Sequence, residues 1–84
     1  MTYRVEISRR AAKFVTALQK PVRRKILAAV EALGENPRPP GCRKLAGQDA
    51  WRIRVGDYRV VYEIGDRVLL VYVIDIGHRR EIYR

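Results

Sequence analysis

The run Trp51-Arg52-Ile53-Arg54-Val55-Gly56-Asp57-Tyr58-Arg59-Val60-Val61-Tyr62 decides how this 84-residue chain folds. Trp51, Ile53 and Val55 alternate with Arg52 and Arg54, the period-two pattern of a half-buried strand. Gly56-Asp57 reads as a tight two-residue hairpin turn, and Tyr58 to Ile64 as the returning strand. A two-residue loop fixes the register: Val55 faces Tyr58, Arg54 faces Arg59 and Arg52 faces Val61. Arg52, Arg54 and Arg59 therefore share one face of the sheet, opposite Trp51, Ile53 and Val55. Like charges directly across a ladder destabilise the pair. An anion held between Arg54 and Arg59 would remove that penalty.

Beyond the hairpin, Gly65-Asp66 predicts a second turn. Val68 to Ile76 then reads as a nearly continuous apolar strand, which suits a central or doubly covered place in a sheet. Pairing through that turn sets Tyr72 opposite Arg59. The exit of the strand, Gly77-His78-Arg79-Arg80, is then expected near the Gly56 end of the hairpin. In this register Arg54, Arg59, His78, Arg79 and Arg80 converge at one corner, with Tyr83 just beyond. Guanidinium groups suit phosphate there, because their fork matches two oxygens at once. Each residue also has a plainer reading. Strand-face arginines are commonly solvated, Glu63 or Asp75 offers neutralising charge, and a lone histidine or a terminal tyrosine commonly serves surface or packing.

Working back from Trp51, Glu35 to Gln48 holds Pro37, Pro39, Pro40, Gly41 and Gly47 and is predicted to be a loop. Before it, Pro21 suits the first turn of a helix that carries Val22, Ile26, Ala29, Val30 and Leu33 on one face and stops at Gly34. Ser8 offers an N-cap to an earlier helix with Ala11, Phe14, Val15 and Leu18 at helical spacing. Tyr3 to Ile7 alternates apolar and charged residues, as a half-buried strand does. The order predicts a two-layer α+β domain, β-α-α-β-β-β, with the N-terminal strand and a helical hairpin packed on an antiparallel sheet. The first strand must join an edge of that sheet, and the pattern does not say which.

Residues 1–84 are expected to form one domain, since so short a chain leaves no room for a second core. Eighteen Lys and Arg against nine Asp and Glu give a net charge of +9. That surplus favours a polyanionic partner: nucleic acid, a membrane surface or an acidic protein. The plainer reading is a merely soluble basic protein. Cys42, the one cysteine, excludes an internal disulfide and fits a reducing compartment. Met1 to Glu6 is polar and alternating, unlike a signal peptide, and the apolar stretch from Val68 to Ile74 is too short to cross a bilayer. A soluble cytoplasmic protein with no membrane partner is expected. One histidine, one cysteine and no clustered carboxylates provide no metal ligand set, so neither a metal nor another cofactor is expected.

Lys44-Leu45 and Gly47, with the run from Trp51 to Tyr62, resemble the central hairpin of RelE toxins. Gly77-His78-Arg79-Arg80-Glu81-Ile82-Tyr83 resembles their C-terminal signature, and with the helical hairpin the resemblance covers nearly the whole chain. ParE-like relatives share the fold and the tyrosine-arginine strand, so the terminal run is the more discriminating part. The resemblance implies an mRNA interferase that cleaves mRNA in the ribosomal A site and is held inactive by a cognate antitoxin. It also implies active-site roles for Arg52, Arg54, Arg59, Arg79 and Tyr83, with His78 where some relatives use a catalytic histidine. Lys44 and Arg80 are expected to add to phosphate binding.

The best-known members of that family carry lysines where this chain has Arg52 and Arg54. Arginine keeps its proton, so both are expected to grip phosphate and neither to act as a base. Proton transfer then falls to His78, which can exchange protons near neutrality, and to Tyr83. The implied reaction is metal-independent: the ribose 2′-hydroxyl attacks the adjacent phosphate, leaving a 2′,3′-cyclic phosphate and a 5′-hydroxyl. Arg59 and Arg79 would stabilise the charge developing on the phosphoryl oxygens. Two other functions stay open on the residues alone. One is ParE-like inhibition of DNA gyrase by binding; the other is a non-catalytic RNA- or ribosome-binding module, for which the charge suffices.

Overall fold

Ser8 sets where the helical layer begins. In the computed structural model, which describes residues 2–78, its Oγ accepts from the Ala11 amide at 3.1 Å and caps helix α1 (Arg9–Thr16). The same hydroxyl donates to the Ile74 carbonyl at 2.6 Å, which ties the start of the helix to the last strand. Helix α2 (Lys20–Ala32) carries Pro21 in its first turn, where the missing N–H costs nothing. Ala11 and Val15 of α1 and Ile26 and Val30 of α2 are buried at helical spacing. After α2 the chain turns at Gly34, where an added Cβ would stand 2.9 Å from the Tyr3 carbonyl oxygen. The close approach lets the Gly34 carbonyl accept from the Tyr3 amide at 2.7 Å.

Five strands form one sheet: β1 (Arg4–Ile7), β2 (Arg43–Lys44), β3 (Trp51–Val55), β4 (Tyr58–Gly65) and β5 (Leu70–His78), in the order β1-β5-β4-β3-β2. The central hairpin has the register its two-residue loop demands, with Val55 against Tyr58, Arg54 against Arg59 and Arg52 against Val61. Gly56 takes φ 60° at the first central position, where a II′-type hairpin turn needs glycine. Ile53, Val60, Tyr62, Val71, Val73 and Ile76 form the inner face of the sheet and share one apolar core with Ala11, Val15, Ile26, Val30 and Leu33. Among the described residues, no helix is long and apolar enough to cross a membrane.

The two-layer α+β architecture is the expected one, and three details of the sheet differ. β1 lies parallel to β5, from Arg4 beside Leu70 to Ile7 beside Val73, so the sheet is mixed. The apolar β5 thereby gains a neighbour on each side, the central place its composition asks for. Arg43 and Lys44, inside the predicted loop, pair with Arg52 and Trp51 as a two-residue edge strand. Finally, the turn after β4 spans four residues, 66–69, with Leu69 at φ 53°, and β5 carries a bulge at Ile74. Val61 pairs with Asp75 while Tyr62 pairs with Val73.

Candidate nucleic-acid interface

Strand alternation puts Arg52, Arg54 and Arg59 on the face of the sheet opposite the core residues Ile53 and Val60. Arg43 faces Arg52 across β2 and β3, and Arg54 faces Arg59 across β3 and β4. Directly opposed residues lie about 5 Å apart at Cα, and same-face neighbours along a strand about 6.6 Å apart. The four arginines therefore make two adjacent rungs. Arg52 and Arg59 are only 6% and 3% exposed, whereas Arg43 and Arg54 stand in solvent. A buried guanidinium needs polar partners, and the Gly41 carbonyl accepts from Arg52 Nη1 at 3.4 Å. A concavity of about 480 Å³ opens here, lined by Pro40, Gly41, Arg43, Arg52, Ile53 and Arg54.

Pro40 and Gly41, on one wall of this concavity, belong to a strap, residues 37–42, that is fixed at its start by two anchors. The buried Tyr62 hydroxyl donates to the Pro37 carbonyl at 2.7 Å, and burial, with the Cys42 thiol adding to it, pushes that phenol well above its ordinary range. Arg38 reaches the other way. Its Nη1 and Nη2 donate to Oδ1 and Oδ2 of Asp66 at 3.2 and 2.9 Å, and its guanidinium carbon lies 5.2 Å from the centre of the Trp51 ring. The Tyr3 hydroxyl donates to the same Asp66 carboxylate at 2.6 Å. The bond from Arg38, then the one from Tyr3, hold the Asp66 carboxyl down to about 2, and the Asp66 contact in turn raises the Tyr3 phenol.

Arg52, Arg54 and Arg59 are thus brought together on one face, and Arg43 joins them from β2. Lys44 is not part of this group: it pairs with Trp51, on the other side of the alternation, and its ammonium lies 3.9 Å from Asp49. His78 also departs from the expected corner. It pairs with Tyr58, and the two rings sit edge-to-face at 5.6 Å. Tyr58 in turn meets Phe14 of α1 at 6.1 Å, so the imidazole belongs to the helix side of the sheet. The bulge at Ile74 is the cause, because one extra residue reverses which face every later side chain takes. The longer turn likewise sets Tyr72 opposite Glu63 rather than Arg59, which faces Gly77. Asp75, on the Arg52–Val61 rung, makes an ion pair with Arg10 of α1 at 3.5 Å. Arg79, Arg80 and Tyr83 lie outside the described residues. Among the described residues, no three His, Cys, Asp or Glu side chains are grouped to hold a metal ion.

Comparison with known proteins adds a relationship over nearly the whole chain. The profile of the family described as the ParE toxin of the type II toxin–antitoxin system, parDE, matches residues 5–83. A chain in the archaeal RelE–RelB complex from Pyrococcus horikoshii OT3 is 31% identical, with a TM-score of 0.85 over 96% of this chain and 99% of that one. The isolated E. coli RelE toxin is also 31% identical, with a TM-score of 0.78 over 96% and 90%. The RelBE2 toxin–antitoxin complex from Mycobacterium tuberculosis shares the fold at 22% identity, with a TM-score of 0.81 over 94% and 100%. No curated protein matches the chain in sequence.

Proposed function

The chain belongs to the RelE/ParE family of toxins from type II toxin–antitoxin systems, and from that premise we propose that it is a metal-independent endoribonuclease cleaving mRNA in the ribosomal A site. The observation that carries this reading is the opposition of Arg54 and Arg59 beside the Arg43–Arg52 rung. Two arginine pairs on one sheet face concentrate positive charge there, which favours an anion laid across them. Phosphate groups of an extended RNA strand supply that anion, and a guanidinium fork takes two phosphate oxygens at once.

In the reaction, the ribose 2′-oxygen loses its proton and bonds to the adjacent phosphorus, while the bond from phosphorus to the 5′-oxygen breaks and that oxygen is protonated. Arg59, buried and so held in place, meets the charge that grows on the phosphoryl oxygens, with Arg79 as its partner. Arg52, Arg54 and Arg43 grip the flanking backbone. Arginine cannot take up the 2′-hydroxyl proton. Tyr83 carries proton transfer in this reading, and the helix-side ring of His78, packed on Tyr58, takes no part in it. Arg80 adds charge at the exit of β5. The relatives crystallised as RelE–RelB complexes support a cognate antitoxin as the protein partner.

The deciding experiment is inducible expression with mapping of mRNA 5′ ends, beside purified ribosomes carrying a defined mRNA. The parent protein should cut, Arg59→Ala should lose cleavage and cell toxicity with its fold intact, and deoxyribose at the cut site should block the reaction. Arg59→Ala cutting at the parent rate would sink the assignment. A second reading is favoured by the family profile itself, which is described for ParE toxins. That reading is inhibition of DNA gyrase by binding, and a supercoiling assay run in parallel separates the two.

A further inference from the structure

We infer that Arg38, which lies outside the arginine concavity, is a positioning residue for it: the Arg38–Asp66 ion pair holds the 37–42 strap so that the Gly41 carbonyl fixes the Arg52 guanidinium for phosphate. The inference rests on reading the concavity as the phosphate site. Its starting point is how unevenly the strap is secured. Its first residue is bound into the core through the Tyr62 hydroxyl, and Cys42 closes the turn by donating its amide to the Pro39 carbonyl at 3.1 Å. Between them, Pro40 and Gly41 line the concavity, with Gly41 at φ 90°. What orients that wall from outside is Arg38.

Two contacts meet on the Arg38 side chain and a third residue braces one of them, each from a different part of the fold. The bidentate carboxylate of Asp66 belongs to the turn between β4 and β5, the Trp51 ring belongs to β3, and Tyr3, just before β1, donates to the Asp66 Oδ1 that Arg38 also engages. A planar fork is needed to make two bonds to one carboxylate while lying near an indole, and lysine cannot do both. Two residues of the same sheet face are then set by one loop. Arg52 is tethered directly by the Gly41 carbonyl, and Arg43 follows immediately after Cys42 at the end of the strap. Moving the strap outward withdraws the carbonyl from Arg52 Nη1 and shifts the rung that Arg43 and Arg52 form.

The test uses the full chain with inorganic pyrophosphate as probe, so that it does not depend on RNA cleavage. Arg38→Ala should weaken pyrophosphate binding by roughly tenfold, the scale of one lost hydrogen bond to a charged group. It should also shift the Arg52 Nε–H and Gly41 amide resonances in the unliganded protein. Arg38→Lys should recover little of the affinity, and Arg38→Ala added to Arg52→Ala should weaken binding no further than Arg52→Ala alone. Circular dichroism and the thermal midpoint establish that the variants are folded, and Asp66→Asn provides a second variant that removes the same anchor from its other end. Unchanged Arg52 and Gly41 resonances, additive losses, or a parent protein that does not bind pyrophosphate overturn the inference. A parent that shows the coupling yet leaves mRNA intact keeps the positioning role and removes the nuclease reading instead.

Discussion

Arg54 and Arg59 could be placed opposite each other from sequence because two residues between alternating runs leave one register. His78 could not be placed that way. Nothing in Val71 to Ile76 announces a bulge: all but one of those residues are apolar, so the period-two signal that would reveal an extra residue is missing. Arg43 was hidden for a related reason, since a strand of two residues inside a proline- and glycine-rich stretch has no alternation to read. The corrected face of His78 makes a prediction. His78→Ala should retain far more mRNA cleavage than Tyr83→Phe, measured as initial rates on ribosome-bound message. Equal losses would return the imidazole to the chemistry. Asp66 gives a second prediction at this scale. Its carboxyl titrates near 2 when folded against a reference value of 3.8. The contribution of its contacts is therefore complete above the higher value and is lost as pH falls through the lower one. Acid unfolding of Asp66→Asn should lose the part of the pH dependence that falls in that window, and an unchanged profile would show that the contact with Arg38 and Tyr3 does not persist in solution.

At the scale of elements, both helices and the three long strands were legible, because each carries its own period and a stop or cap signal. Ser8, Pro21, Gly34 and Gly56 mark boundaries for physical reasons that operate within a few residues. The parallel placement of β1 was not legible, since no local signal says which edge a short half-buried strand will join. The structure adds that Ser8 does more than cap. By donating to the Ile74 carbonyl it secures the residue at the bulge, the feature that decides the face of His78. Ser8→Ala removes both the cap and that bond, and it should cost about 1–2 kcal/mol in denaturant unfolding. A loss no larger than a few tenths would mean that the hydroxyl is readily replaced by water. Ser8→Asp should restore the cap, which accepts from Ala11, without restoring the donation to Ile74.

For the whole molecule, the net charge of +9 becomes informative once it is known that four arginines stand in two rungs on one face. If an RNA strand lies along them, about four phosphates are neutralised, and the logarithm of affinity should fall with that of salt at a slope near −3. Removing Arg43 or Arg54, the two exposed members, should reduce the slope by about 0.7 each, as expected for a single-stranded ligand. A slope unaffected by either substitution would place the nucleic acid elsewhere. The same view of the molecule gives the pairing of β1 with β5 a meaning in time. The first strand of the sheet has its neighbour in the fifth, with Arg4 beside Leu70. The helices and the β3–β4 hairpin can begin to form as they emerge, but β1 waits, and its closure carries the entropy of the longest loop in the fold. The sheet can therefore close only once β5 has been made, however early β1 leaves the ribosome, and the β1 edge is the last of its seams to form.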